Sequence, residues 1–220
     1  MRHVTFAPDE WFHCYTRGVD KRPIYMEERD AERYQMLLFS CNGDSPVHLS
    51  NIHPQHQGRA LMTIVAERRG TPLVDIGTYC LMKNHLHLVL RERSYGGIST
   101  FMQKLGTAFT MYFNKKYDRT GTLFASRFKA KHVSSDPYFR RLINYVHANP
   151  AELFEPKWKE GIVRDEKRLK HELLEYRFSS LPDYEGIERP ERAIIAMNAV
   201  HEILDARPSF KTLLEDARIF

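Results

Sequence analysis

The order strand, helix, strand, strand, helix, strand runs through the first 133 residues and predicts an α+β fold. The expected form is a ferredoxin-like (RRM-like) antiparallel sheet with helices on one face, followed by a C-terminal helix bearing candidate catalytic residues and an extension. Three observations carry this: segments whose apolar residues alternate, segments whose apolar residues recur at three and four, and a tight turn at Lys83-Asn84 between two alternating runs. At 220 residues and 42% hydrophobic, the chain can bury a core in one domain plus extensions.

Trp11 to Val19, aromatic and β-branched with Gly18 near its end, is read as the first strand. From Glu27 to Phe39, Tyr34, Leu37 and Leu38 fall at helical spacing in a charged background and predict an amphipathic helix. Asn42 to Gly58 has no periodicity and holds His48, His53 and His56, which an irregular polar insertion explains better than metal binding. Ala60 to Arg69 reads as a short helix closed by Gly70, and Val74 to Leu81 as the second strand.

The third strand is the centre of the pattern. In Lys83-Asn84-His85-Leu86-His87-Leu88-Val89-Leu90, a period of two puts Leu86, Leu88 and Leu90 on a core face and His85 and His87 together on the other. Two imidazoles gain nothing from an apolar core, so their face is expected to be open, and a metal ion is an economical reason to pair them. A single His-hydrophobe-His is weak by itself, because partly buried, hydrogen-bonded histidines are common.

Gly96-Gly97 ends that hairpin, and from Ile98 onward Phe101, Met102, Leu105, Phe109, Tyr112 and Phe113 mark a long helix packed on the sheet. After a break at Asp118 to Gly121, Arg127 to Val133 alternates again. It predicts a strand with Arg127, Lys129 and Lys131 on one face and Phe128 and Ala130 on the other. Lys115, Lys116, Arg119, Arg127, Lys129 and Lys131 face a single acid, Asp118, between Lys115 and His132, with Tyr117, Phe124 and Phe128 among them. That mixture suits a phosphate backbone with stackable bases, and a solvated basic surface is the competing explanation.

The last helix is bounded by Asp136, read as its cap, by Pro137 in its first turn and by Pro150 after Asn149. Phe139, Leu142, Ile143 and Val146 form its apolar face. Tyr145 and Asn149, four apart, lie one above the other on a flank. His147 points elsewhere and is expected to be structural. Cys14, Cys41 and Cys80 are odd in number and scattered, which suggests neither a disulfide framework nor a zinc ribbon. No apolar run approaches a membrane span and Met1 to Glu10 lacks a signal-peptide core, so a cytoplasmic location and no membrane partner are expected.

Met82 to Leu88 (MKNHLHL), Gly121 to Ala130 (GTLFASRFKA) and Tyr145 to Pro150 (YVHANP), in this order, resemble the single-tyrosine HUH transposases, and among them the REP-associated tyrosine transposases and their insertion-sequence relatives. The resemblance covers roughly Trp11 to Leu153. It implies a domain over 1–155 with an insertion at about 42–69, and a C-terminal extension over 156–220 packing on or flanking it. It also implies His85, His87 and Asn149 as metal ligands, Tyr145 as nucleophile, and a divalent cofactor, Mg2+ or Mn2+; imidazole ligands sit more comfortably with Mn2+.

The activity implied is cleavage and rejoining of single-stranded DNA, folded as a hairpin, through a 5′-phosphotyrosine, with Arg127, Lys129, Lys131, Lys115, Lys116 and Arg119 as DNA-binding candidates. The family includes proteins that act alone and homodimers that exchange the tyrosine helix. Three alternatives stand beside this expectation: a replication initiator or relaxase with the same chemistry, a non-catalytic or domesticated nucleic-acid-binding protein of the same fold, and a metal-dependent hydrolase indifferent to Tyr145.

Overall fold

The computed structural model describes residues 4–45, 65, 69–204 and 206–220. His48, His53, His56 and nearly all of the helix expected over 60–69 lie outside them. The sheet is built from β1 (Trp11–Arg17), β2 (Val74–Met82), β3 (His85–Glu92) and β4 (Lys129–His132). Its order is β2-β3-β1-β4, with every neighbouring pair antiparallel. With α1 (Glu28–Ser40) between β1 and β2 and α2 (Gly97–Lys116) between β3 and β4, this is the expected ferredoxin-like arrangement.

Register sorts the side chains onto two faces. Phe12 pairs with Leu90 and Cys14 with Leu88, so these residues share one face, as do Tyr79 and its partner Leu88. The buried Tyr79 hydroxyl accepts a hydrogen bond from Gln35 Nε2 at 3.0 Å, which places α1 on this face, and α2 joins it where the Tyr34 and Phe109 rings meet edge-on at 4.9 Å. Thr78 and Val89 pair on the opposite face, where Thr78 Oγ1 lies 2.9 Å from His147 Nε2 of α3 (Asp136–Ala148). Both faces are therefore covered.

That corrects the expectation of an open histidine face. The apolar stripe of α3, Phe139, Leu142, Ile143 and Val146, is fully buried, and the Trp11 and Phe139 rings pack at 4.9 Å. Gly77 makes room for this contact, since a Cβ there would lie 2.7 Å from the Trp11 ring. An amphipathic helix following β4 has only the second sheet face on which to bury its stripe.

Carboxylates fix where the helices begin. Asp30 accepts from the backbone N–H of Met26 and Glu27 at 2.9 and 3.1 Å, half of a capping box at the start of α1. It also accepts from Tyr117 Oη and Lys116 Nζ, each at 2.6 Å, and from Tyr112 Oη at 2.8 Å, tying the end of α2 to the start of α1. Burial works to raise the Asp30 carboxyl, but these partners outweigh it and hold the group down at about 2. The buried Glu92, at the end of β3, takes the N–H groups of Gly96 and Ile98 at 2.6 and 2.7 Å and so caps α2. At α3 the cap is Ser135, which accepts from Tyr138 N, rather than Asp136; Pro137 lies in the first turn as expected.

β4 is shorter than the expected Arg127–Val133 strand. Its ladder on β1 runs only from Tyr15↔Lys129 to Phe12↔His132. An isolated bridge, Gly18↔Phe124, and the Ala125 N–H bonded to Arg17 O lead the chain out of that register, leaving Arg127 outside the strand.

After Pro150 come α4 (Ala151–Phe154), α5 (Glu166–Glu175), α6 (Leu181–Tyr184), α7 (Met197–His201) and α8 (Phe210–Arg218). Trp158, Leu169, Leu173, Leu213 and Leu214 form a second apolar cluster with Ala148 of α3. The segment 178–180 bonds along β2, from Phe178 O to Leu81 N and from Ser180 N to Tyr79 O, and so covers that edge of the sheet. No helix among the described residues is long and apolar enough to cross a membrane.

Candidate active site

The site forms where β1, β3 and the end of α3 meet. Antiparallel register sets Arg17 opposite His85, Tyr15 opposite His87 and His13 opposite Val89, so these side chains share the α3 face. Tyr145 and Asn149, stacked four apart as their spacing predicts, descend on it from α3. The Tyr145 ring meets His87 edge-on at 5.4 Å, and Asn149 Oδ1 lies 3.5 Å from His85 Nε2. The four residues singled out as nucleophile and ligands are thus brought together within one chain.

Hydrogen bonds fix which atoms face one another. The Asn84 amide donates to Lys21 O at 3.2 Å, so its Oδ1 accepts from His85 Nδ1 at 2.7 Å and His85 Nε2 is left with its lone pair. The Asn149 amide donates to Tyr145 O at 2.9 Å, which turns its Oδ1 toward His85. Two acceptor atoms therefore oppose each other at 3.5 Å with no proton between them. The separation is close to the ~3 Å between adjacent ligands of an octahedral divalent ion. Among the described residues no three His, Cys, Asp or Glu side chains gather as a metal site; the two imidazoles and the amide are the candidate donors.

Burial keeps these rings neutral and available as donors. It lowers His85, and it lowers His87 well below the ordinary 6.5, with His13 and His85 adding to the effect. His13, on the neighbouring strand, is held at about 4 by burial and by Lys131, and its Nε2 lies 2.8 Å from His87 Nδ1. Sequence reasoning missed His13. The available signal was the same period of two, Trp11-His13-Tyr15-Arg17, that singled out His85 and His87.

Burial also raises the Tyr145 phenol, with a hydrogen bond to the Asn149 side chain acting partly against it. At neutral pH the group is a phenol, and attack by its oxygen requires loss of the proton. The C-terminal residue, Phe220, stacks on Tyr145 at 4.8 Å and on Tyr138 at 5.2 Å. His147 faces away from this cluster: it is buried, hydrogen-bonded to Thr78 and to Ser180 Oγ at 3.0 Å, and packed on Tyr184. It anchors α3, as expected.

The basic candidates divide. Lys129 and Lys131 pair with Tyr15 and His13 and are exposed beside the site, Lys131 standing 5.0 Å over the Tyr138 ring. Arg127 is exposed just before β4. Lys115, Lys116 and Arg119 lie at the end of α2, on the other side of the sheet. Lys116 is engaged by Glu27 and Asp30, and Arg119 donates to Asn114 Oδ1 at 2.9 Å. Charge counting along the sequence cannot see such partners.

Residues 50–149 match the family model described as Transposase IS200 like. Over that stretch the chain is similar to the IS200-like transposases. The matched segment takes in β2 to β4 and α3, and with them His85, His87, Tyr145 and Asn149, and leaves out β1 with His13 and the C-terminal helices. Among solved structures the chain is similar to a REP-associated tyrosine transposase bound to a REP hairpin, at 14% identity over 87% of this chain and 88% of that one, with a TM-score of 0.49. No curated protein matches the chain.

Proposed function

We propose that this chain cleaves and rejoins single-stranded DNA, acting on hairpin-forming repeats, with Tyr145 as nucleophile and a divalent ion held by His85 Nε2, His87 and Asn149 Oδ1. The observation that carries the reading is the pair of opposed lone-pair atoms on His85 and Asn149 beside the Tyr145 ring. A bound Mn2+ or Mg2+ supplies positive charge that neutralises a scissile phosphate and stabilises charge developing on it, and neutral ligands leave that charge undiminished.

The chain's own residues do the rest. Tyr145 Oη, losing its proton, forms a bond to phosphorus while the bond to the 3′ oxygen breaks, giving a 5′-phosphotyrosine and a free 3′-hydroxyl. The new ester conserves the energy of the old one, so a 3′-hydroxyl attacking it rejoins strands without ATP. Asn149 is tied to the Tyr145 backbone carbonyl by its amide, and His147 anchors the helix that presents both. Lys129, Lys131 and Arg127, exposed beside the site, would hold the backbone of the strand.

The test is covalent capture. Incubated with a hairpin oligonucleotide bearing a single-stranded flank and Mn2+, the wild type forms a denaturation-resistant adduct, and Tyr145→Phe forms none while retaining DNA binding. Strand cleavage by Tyr145→Phe through water marks a hydrolase. Binding by the wild type with neither cleavage nor adduct marks a non-catalytic binding protein.

A further inference from the structure

The ring of His13 sits against His87 in a way the nucleophile and ligand set does not use. His13 Nε2 and His87 Nδ1 are 2.8 Å apart, both rings are nearly fully buried, and their planes lie 25° apart at 5.0 Å. Tyr15 packs on His13 at 5.0 Å, and Tyr145 and Phe220 close around it at 6.1 and 6.3 Å, so the ring is confined on several sides. Among the described residues His87 Nε2 has no hydrogen-bond partner in the protein.

Two neutral imidazoles at this distance share one proton, and its position decides what His87 can do. If His13 donates, His87 carries its own proton on Nε2 and presents an N–H to the site, which repels a cation. If His87 Nδ1 donates, its Nε2 is a bare lone pair and the proton of His13 sits on Nδ1. Only the second arrangement adds a third donor to His85 Nε2 and Asn149 Oδ1.

We propose that His13 is a positioning residue whose Nε2 accepts the Nδ1 proton of His87, fixing the tautomer and ring orientation that make His87 a metal ligand. This rests on the reading of His85, His87 and Asn149 as the cation site. Partners of this kind on ligating histidines commonly set affinity by 10- to 100-fold. For His85 the equivalent acceptor is Asn84 Oδ1, the residue before it in the turn. His87, in mid-strand, has no turn residue within reach, and the neighbouring strand supplies the acceptor instead.

The experiment uses the full-length protein with His13→Gln and His13→Ala. A glutamine amide oxygen reaches about the position of Nε2 and accepts, whereas alanine leaves His87 Nδ1 without a partner. Long-range 15N spectra of the metal-free proteins read the His87 tautomer directly. Mn2+ titration followed by water-proton relaxation reads affinity with no DNA present. The wild type is expected to carry the His87 proton on Nδ1. His13→Ala is expected to lose this preference and bind Mn2+ about 10- to 100-fold more weakly, with His13→Gln close to wild type.

A wild-type His87 protonated on Nε2, or a folded His13→Ala protein with unchanged Mn2+ affinity, overturns the inference. His85→Ala separates the two levels. If it abolishes Mn2+ binding while His13→Ala does not, the site stands and the positioning role falls. If the wild type has no Mn2+ site that depends on His85, both fall.

Discussion

Acid should loosen this protein through a residue outside the chemistry. His147 is buried in the last turn of α3, bonded to Thr78 and Ser180, and burial together with the charge of Arg189 depresses its imidazole from 6.5 to about 3. Unfolding returns the ring to its ordinary value. Between about pH 6.5 and 3 the unfolded chain therefore binds a proton that the folded chain refuses, so stability is full above that window and falls as pH drops through it. From pH 7 to 4.5 this one ring removes roughly 2.5 kcal/mol, a large part of the ~5–15 kcal/mol that holds a typical domain together.

His147→Gln keeps an amide for Thr78 and does not titrate. Its stability, measured by urea unfolding at both pH values, should change by about 2.5 kcal/mol less than that of the wild type over the same interval. His13 contributes with the same sign but is common to both proteins. Parallel losses in wild type and variant would refute the argument, because they would mean that His147 takes up its proton without unfolding.

Other expectations follow from single contacts. Asp30→Asn removes the charge that joins α1 to Lys116, Tyr112 and Tyr117. With Lys116 28% exposed, the expected loss in chemical denaturation is about 2 kcal/mol, below the ~3–5 kcal/mol of a fully buried pair. Lys129→Ala and Lys131→Ala should each reduce the slope of log binding constant against log salt by about 0.7 on single-stranded DNA, whereas Lys115→Ala, on the far side of the sheet, should leave it unchanged. Phe220→Ala uncovers the face of Tyr145 on which it stacks, so nitration of Tyr145 by tetranitromethane, followed by peptide mapping, should be faster than in the wild type.

Much of the fold was legible because each element carries its own period. The leucines of β3 and the stripe of α3 declare a buried face locally, and Gly and Pro mark where elements stop. The site was legible for a related reason: Tyr145 and Asn149 fall on one flank by helical spacing, and His85 and His87 on one face by strand alternation. What failed depends on partners distant in sequence. Lys116 looks like a free cation until Asp30, 86 residues away, is seen beneath it. The histidine face looks open until α3 lies across it. His13 stands in a strand whose two faces are both buried, so its neighbours Phe12 and Cys14 make it read as core. Phe220 is an ordinary C-terminal residue until α8 delivers it to Tyr145.

The central claim is that one phenol among the 11 tyrosines of the chain forms a bond to DNA. The most direct measurement is mass spectrometry of the protein after reaction with a hairpin oligonucleotide and Mn2+, followed by nuclease trimming and proteolysis. The account predicts a nucleotide 5′-phosphate on the peptide containing Tyr145, at that residue alone and absent when His85 is replaced by Ala. A nucleotide on another tyrosine, or cleaved DNA with every tyrosine unmodified, would contradict it.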